Sequence, residues 1–196
     1  METITASALI KNCKSGDIIL FNGKKWYSKI IEWYCGSDIS HVGIIIKDPN
    51  VNGKMCHGQF VLESRLYEDG SNGVRLTPLN RIIEEYEQDI YVRFLNCVRD
   101  SKFLLRIDNI CFTTIGKKYD DNPWDWLKAI CDVDIGNVHQ TNKFWCSALV
   151  AYSYILLGFL NPKIPWTIIR PSAFSSRYNI PILNFNCNLT NDIKIV

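Results

Sequence analysis

The sequence predicts an α+β fold in which an antiparallel sheet packs against helices. Short runs of β-branched and apolar residues, bounded by turn formers, are typical of strands. Longer segments repeat apolar residues at helical spacing. Two of the predicted strands, residues 40–47 and 55–64, are joined by a segment dense in turn formers, residues 48–54. These two strands are therefore predicted to form an antiparallel hairpin at the middle of the sheet.

Strands and helices follow one another along the first half of the chain. Residues 18–21 (IILF) form a short apolar strand that follows a Ser-Gly-Asp turn. Residues 25–35 carry aromatic and aliphatic side chains at helical spacing, which predicts a helix. The two strands of the hairpin come next. Thr77 is predicted as the N-cap of a helix that begins at Pro78 and reaches about Tyr86.

The second half of the chain is predicted to hold the longest helices. Residues 89–95 alternate like a strand, and Asp100 or Ser101 caps an amphipathic helix that ends at Gly116. A polar loop rich in Trp, Asp and Asn follows. The longest helix begins at Asn142 or Lys143 and runs to Gly158. Loops and short strands are expected to complete the chain.

Length, composition and charge narrow the class of protein. The chain has 196 residues, 47% hydrophobic and 21% charged, without repeats or linkers, which predicts one globular domain over residues 1–196. A net charge of +2 argues against a nucleic-acid partner. The longest apolar stretch, residues 145–160, is shorter than the roughly 20 residues of a transmembrane helix. Because residues 1–10 lack the pattern of a signal peptide, we expect a cytoplasmic protein that is not secreted.

Cys146 is the first candidate for a nucleophile. It falls in the first turn of the longest predicted helix, where unpaired N–H groups and the helix dipole stabilise negative charge. A thiol there has a lowered pKa and reacts as the thiolate. A cysteine in an apolar helix can equally be a small buried hydrophobe, so position alone does not decide its role.

His41 and Glu63 lie on the two strands of the predicted hairpin. If Lys47 pairs with Met55, His41 faces Val61 and Glu63 is its diagonal neighbour. A shift of two residues puts Glu63 directly opposite His41, and either even register keeps both side chains on one face. The carboxylate would then fix the imidazole tautomer and stabilise its protonated form. Alternatively, His41 hydrogen-bonds a loop and Glu63 is the solvated end of an edge strand.

Five short segments resemble, in order, the permuted papain-fold cysteine hydrolases of the NlpC superfamily, in particular bacterial YiiX-like proteins and related poxvirus proteins. They are residues 15–21 (SGDIILF), 40–44 (SHVGI), 61–64 (VLES), 116–120 (GKKYD) and 144–147 (FWCS). The resemblance implies a circularly permuted papain-like (NlpC-type) fold, in which the histidine precedes the cysteine. It also implies a bacterial or viral origin, with host cytoplasm or a virion as the location if viral.

The resemblance assigns Cys146 as nucleophile, His41 as base and Glu63 as the residue that orients the imidazole. It implies a thiol-dependent hydrolase, such as a thiol protease, or an acyltransferase that forms a Cys146 acyl-enzyme from an amide, thioester or ester. The substrate would be a small-molecule, peptide or lipid acyl compound, and no cofactor or metal is implied. Tyr119 is placed at the substrate site by the resemblance. Trp145 is one of several tryptophans that would form either an apolar cleft or core; the others are Trp26, Trp33, Trp124 and Trp126.

Two other interpretations remain open. The first is a catalytically silent binding module on the same fold. The second is a structural zinc site built from Cys35, His41, Cys56 and His57, although their spacing matches no standard zinc motif. The eight cysteines contain no C-x-x-C pair, and without a signal peptide free thiols are expected rather than disulfides. The oligomeric state is left undetermined.

Overall fold

The computed structural model describes residues 1–23, 38–51, 53–67, 70–119, 143–178 and 187–196. Its strands are β1 (Thr3–Ile4), β2 (Ile18–Asn22), β3 (Ile39–Lys47), β4 (Asn50–Val51), β5 (Lys54–Met55), β6 (Gln59–Leu66), β7 (Asn72–Pro78), β8 (Ile90–Arg93), β9 (Leu95–Asn96), β10 (Lys118–Tyr119), β11 (Lys143–Phe144), β12 (Asn188–Leu189) and β13 (Ile193–Ile195). Its α-helices are α1 (Ala6–Asn12), α2 (Leu79–Glu85), α3 (Ser101–Thr114) and α4 (Cys146–Leu156), and short 3₁₀ helices cover Trp166–Ile168 and Pro171–Phe174.

The main sheet is antiparallel, with one parallel pair at its edge. Within the described ranges it has seven strands in the order β1–β13–β8–β2–β3–β6–β7. Only β1 and β13 run parallel; the other neighbours are antiparallel. The predicted α+β architecture, with an antiparallel sheet packed against helices, is confirmed.

Helices cover both faces of this sheet. Successive side chains of a strand point to opposite faces. Ile18 and Leu20 of β2 therefore belong to the apolar cluster formed with α3 and α4. Ile19 and Phe21 belong to a second cluster formed with α1 and α2. Burial of each such side chain stabilises the fold by roughly 1.5–3 kcal/mol.

The start of α4 differs from the prediction. The helix begins at Cys146, with Trp145 as its N-cap in extended conformation, rather than at residue 142 or 143. Lys143 and Phe144 form β11, which pairs with β10. Backbone pairing with a strand distant in sequence has replaced the first predicted turn of helix. Cys146 is consequently the first residue of the helix, not a residue in the middle of its first turn.

The helix after Thr77 also starts later than predicted. Thr77 and Pro78 are the last residues of β7, which pairs with β6, and α2 begins at Leu79. No side chain caps this helix. The predicted N-cap role of Thr77 is therefore wrong, because sheet pairing keeps its backbone extended.

Helix α1 and strand β7 are among the elements that have no counterpart in the predictions. Helix α1 buries only Leu9, so its amphipathic pattern is too weak to stand out. Strand β7 has a mixed sequence, NGVRLTP, and pairing with β6 stabilises it. The predicted strand at residues 55–64 is also divided, because Met55 belongs to β5 and β6 begins only at Gln59.

Some predictions fall on residues outside the described ranges. The predicted helix at residues 25–35 and most of the predicted loop before residue 142 lie outside the described residues, as do Trp26, Trp33, Trp124 and Trp126. Within the described ranges, no helix combines the length and apolar character that crossing a bilayer requires.

Candidate active site

Strands β3 and β6 separate at one end, and the candidate residues lie at this opening. The two strands pair from Lys47–Gln59 to Ile44–Leu62. Beyond that point β3 is paired only with β2, and β6 only with β7. Helix α4 packs against both strands, so its first turn can reach the residues at the opening.

A β-bulge directly precedes His41. Phe21 of β2 pairs with His41, whereas the next residue, Asn22, pairs with Ile39, so Ser40 is an extra residue in β3. A bulge of this kind bends the strand and redirects neighbouring side chains. The imidazole then packs against the Phe21 ring, with 5.0 Å between ring centroids. Local backbone geometry and ring packing together orient His41.

Glu63 approaches the imidazole from the neighbouring strand. Its Oε2 lies 2.9 Å from Nε2 of His41. If the observed register continued by one pair, Glu63 would face Gly43 and would be the diagonal neighbour of His41. The two side chains therefore meet across the opening in the sheet.

The exact registers predicted for the hairpin are both wrong, although the parity is as predicted. Lys47 pairs with Gln59 rather than with Met55, because β4 and β5 form their own small hairpin between the long strands. The residue numbers of paired positions still add up to an even number. The side chains of His41 and Glu63 are consequently on one face, as the sequence analysis required.

Glu63 is fully buried, and its carboxylate is compensated by three neighbours. His41 contacts one oxygen, and the Thr77 hydroxyl donates a hydrogen bond of 2.7 Å to the other. Nε of Arg65 lies 3.5 Å from Oε1, without the geometry of a hydrogen bond. Burial would raise the pKa of Glu63, but the contacts with His41, Arg65 and Thr77 lower it below its usual range. The carboxylate is therefore held ionised.

Cys146 supplies the third group. Its thiol interacts electrostatically with the His41 side chain and with the backbone N–H groups of Val42 and Ser147. The residue is 7% exposed. Burial would raise the pKa of the thiol, whereas the charge and hydrogen bond of His41 and the two N–H donors lower it below its usual range.

The pKa of His41 is shifted in the opposite direction. Burial would lower the pKa of His41, but the Cys146 thiolate and the Glu63 carboxylate raise it to about 9. Each partner therefore stabilises the charged form of the other, which favours a thiolate beside an imidazolium.

Two buried serines hold the segments of the site together. The Ser64 hydroxyl, next to Glu63, donates a 2.6 Å hydrogen bond to the carbonyl of Phe144. The Ser147 hydroxyl donates a 2.6 Å hydrogen bond to the carbonyl of Ile169. These bonds fix β6, and the segment around Ile169 that follows α4, against the start of α4. Neither serine was predicted from a local sequence pattern, and Thr77 was missed as a partner of Glu63.

Other described thiols differ from Cys146. Burial raises the pKa of Cys13 to about 11 and that of Cys111 to about 12, and it also raises the pKa of Cys97. All six described cysteines are free. A lowered pKa therefore distinguishes Cys146 from these buried thiols.

Tyr119 and Trp145 both lie near the start of α4, Tyr119 through strand pairing and Trp145 through its position in the sequence. Tyr119 pairs with Phe144 in the parallel β10–β11 ladder, and Trp145 directly precedes Cys146. Both side chains are partly buried. Nε1 of Trp145 is buried and has no hydrogen-bond partner in the part of the chain that the structure describes. The geometry places both residues beside the Cys146 segment without assigning them a ligand.

The proposed zinc set is not brought together. His41 and the turn that carries His57 lie at opposite ends of β3, and His57 is 88% exposed, with Asp48 as its neighbour. Cys35 lies outside the described residues. Among the described residues, no cluster of three His, Cys, Asp or Glu side chains could hold a metal ion.

Comparison with known proteins agrees with this arrangement. The sequence profile described as permuted papain-like amidase enzyme, YaeF/YiiX, C92 family, matches residues 12–164. The crystal structure of the metalloprotein YiiX from Escherichia coli O157:H7 superposes with a TM-score of 0.56 at 19% sequence identity. The alignment covers 91% of this chain and 96% of that chain. No curated protein matches the sequence significantly. The predicted circularly permuted papain-like fold is thereby confirmed.

Proposed function

Because the chain belongs to the permuted papain-like amidases of the YaeF/YiiX, C92 family, we propose that it is a cysteine hydrolase with Cys146 as nucleophile, His41 as base and Glu63 as orienting residue. One observation carries the assignment of residues. The His41 imidazole contacts the Glu63 carboxylate at 2.9 Å and also interacts electrostatically with a thiol at the first residue of a helix. This is the arrangement that activates a thiol for nucleophilic catalysis.

The first step is transfer of the Cys146 proton to His41. Glu63 occupies Nε2 of the imidazole, so Nδ1 is the nitrogen available to the thiol. The N–H groups of Val42 and Ser147 lower the pKa of the thiol, and the unpaired N–H groups at the start of α4 add positive potential. The thiolate is therefore stabilised before substrate arrives.

The second step forms the acyl-enzyme. The thiolate attacks the carbonyl carbon, a C–S bond forms, and the carbonyl electron pair moves onto oxygen. The backbone N–H of Cys146 is the first of its helix and has no intrahelical acceptor, which makes it a donor to this oxyanion. The His41 imidazolium protonates the leaving amine, thiol or alcohol as its bond to carbon breaks, and a Cys146 thioester remains.

The third step releases the acyl group. Neutral His41 accepts a proton from water as the water oxygen attacks the thioester carbon. Collapse of the intermediate breaks the C–S bond, releases a carboxylic acid and restores the Cys146–His41 pair. If an alcohol or amine replaces water, the same step gives acyl transfer. The chemistry accommodates small-molecule, peptide or lipid acyl substrates, and we place their acyl portion beside Tyr119 and Trp145.

Site-resolved alkylation tests this proposal. Purified protein is treated with limiting iodoacetamide at several pH values, and modification of each cysteine is quantified by mass spectrometry. Near pH 6 Cys146 should react at least tenfold faster than Cys13 or Cys111, because only a thiolate is reactive. His41→Ala should remove this advantage, and Glu85→Ala, at an exposed helix position, should leave it unchanged.

A panel of peptide, thioester and phospholipid electrophiles, applied to the same variants, identifies the acyl class. Equal reactivity of all thiols near pH 6, unaffected by His41→Ala, would instead favour the silent binding module. Stoichiometric zinc in the purified chain, lost in Cys56→Ser, would favour the structural zinc site.

A further inference from the structure

Two cysteines away from the candidate active site adjoin a pair of strands, since Cys97 directly follows β9 and Cys187 directly precedes β12. Strand β9 pairs with β12 in antiparallel register, with Asn96 opposite Asn188. The side chains of that pair also hydrogen-bond, at 2.8 Å. If this register continues by one residue, Cys97 faces Cys187.

The hydrogen-bond pattern determines which kind of pair the two cysteines form. The N–H of Thr190 donates to the carbonyl of Phe94, and the N–H of Phe94 donates to the Thr190 hydroxyl, both at 3.0 Å, so these two residues take the position of a hydrogen-bonded pair. Hydrogen-bonded and non-hydrogen-bonded pairs alternate along an antiparallel ladder. In a ladder continued to Cys97 and Cys187, three residues further on, the two cysteines would take the position of a non-hydrogen-bonded pair.

This kind of pair suits a disulfide. Its Cα atoms are about 4.5 Å apart and its side chains are the closer of the two types. A disulfide needs Cα atoms roughly 4.4–6.8 Å apart and Cβ atoms roughly 3.5–4.5 Å apart. The two thiols are also close enough to influence each other electrostatically. Little backbone movement would be needed to join them.

Both thiols are also accessible to a small oxidant. Cys97 and Cys187 are each partly exposed, and Cys97 lines a groove of about 660 Å³ together with Arg99 and Asp17. Burial raises the pKa of Cys97, the Arg99 charge lowers it, and contact with Cys187 raises it again.

We propose that Cys97 and Cys187 are an oxidation site that forms a reversible disulfide with a hydroperoxide as oxidant. The Cys187 sulfur attacks the peroxide, an S–O bond forms, the O–O bond breaks, and an alcohol or water leaves. Cys97 then attacks the resulting sulfenic acid, the S–S bond forms, and the oxygen leaves as water with the Cys97 proton. Two thiols lose two electrons in total, and one hydroperoxide is reduced.

The disulfide would close a long loop in the second half of the chain. It closes a loop of roughly 90 residues that contains Cys146, whereas His41 and Glu63 precede it in the chain. Such a link restricts the unfolded chain. Oxidised protein should therefore resist thermal unfolding without any change at the candidate active site.

Peptide mapping of the full-length protein tests the site. Wild-type protein and Cys146→Ser are treated with stoichiometric hydrogen peroxide, remaining thiols are blocked, and unreduced digests are analysed by mass spectrometry. We expect one dominant cross-linked peptide pair that joins Cys97 to Cys187. The unfolding temperature should rise by about 5–10 °C and return after treatment with a dithiol reductant.

The controls separate this pair from general thiol oxidation. Cys97→Ser and Cys187→Ser should each abolish the cross-link and the rise in unfolding temperature, whereas Cys56→Ser should retain both. Mixed cross-links among many cysteines, or sulfinic acid at Cys97 and Cys187 without a cross-link, would overturn the proposal. Alkylation of Cys146 reports separately on the proposed hydrolase.

Discussion

At the scale of single residues, the candidate site depends on one buried carboxylate. An ionised carboxylate without partners is very costly to bury. Glu63 is fully buried, and His41 and Thr77 each contact one of its oxygens. The negative charge of the Glu63 carboxylate acts on the His41 imidazole. The role of Glu63 therefore depends on its charge as well as on its hydrogen bonds.

Glu63→Gln tests that charge. The carboxylate contributes to raising the pKa of His41 to about 9, so its removal should lower that pKa. Imidazolium protonates the leaving group in the proposed mechanism, and activity is lost as pH rises through the His41 pKa. The alkaline limb of the pH–rate profile should therefore move to lower pH, and the rate at neutral pH should fall by roughly 10²-fold.

Two further variants serve as comparisons for this prediction. Thr77→Val keeps the Glu63 charge and removes one hydrogen bond, so it should move the alkaline limb less. Glu85→Gln alters an exposed carboxylate outside the site and should leave the profile unchanged. An unchanged alkaline limb in Glu63→Gln, with folding intact by circular dichroism, would contradict the orienting role.

At the scale of elements, the opening between β3 and β6 follows a position where a side chain of β6 covers a glycine of β3. A Cβ atom on Gly43 would clash with Cγ1 of Val61. Glycine therefore allows Val61 to fill the sheet face immediately beside Glu63. The strands part at this position, and the His41 and Glu63 side chains meet.

Gly43→Ala should destabilise this contact. Overpacking in a core costs roughly 1–3 kcal/mol in the free energy of unfolding, which chemical denaturation measures. Val61→Ala creates the missing space, so the double variant should lose less stability than the two single variants together. Simple additivity would show that the close approach is not what makes Gly43 necessary.

At the scale of the whole molecule, Arg93 joins distant segments of the chain. The residue is 3% exposed. Its guanidinium donates to the carbonyls of Thr190 and Phe174, both at 2.7 Å, and lies 3.6 Å from Asp192. Strand β8 is thereby connected to a 3₁₀ helix after α4 and to the C-terminal segment.

Arg93→Met should strongly destabilise the fold. It leaves two carbonyls and a carboxylate without their buried partner, and loss of one member of a buried ion pair costs roughly 3–5 kcal/mol. Arg81→Met is the matched control, because Arg81 is exposed and pairs with Glu85 at the surface. Thermal unfolding followed by circular dichroism compares them; equal effects of both substitutions would contradict the linking role of Arg93.

Much of the site could be predicted because it rests on short sequence patterns. The alternation in β3 and β6 places His41 and Glu63 on one face in any even register. A cysteine at a helix start is a local feature as well, although the structure moves that start to Cys146 itself. Thr77 was misassigned because a Thr-Pro pair is typical of a helix N-terminus, whereas pairing with β6 decides its conformation.

By itself, the sequence determined the antiparallel α+β class, the order of histidine, acid and cysteine, and the shared face of His41 and Glu63. These depend on periodicities within a few residues. Only the tertiary structure decided the exact register, the bulge at Ser40, the partners Thr77 and Val42, and the contact between Cys97 and Cys187. Each of these depends on the free energy of packing and hydrogen bonding between segments far apart in the chain, which no local pattern contains.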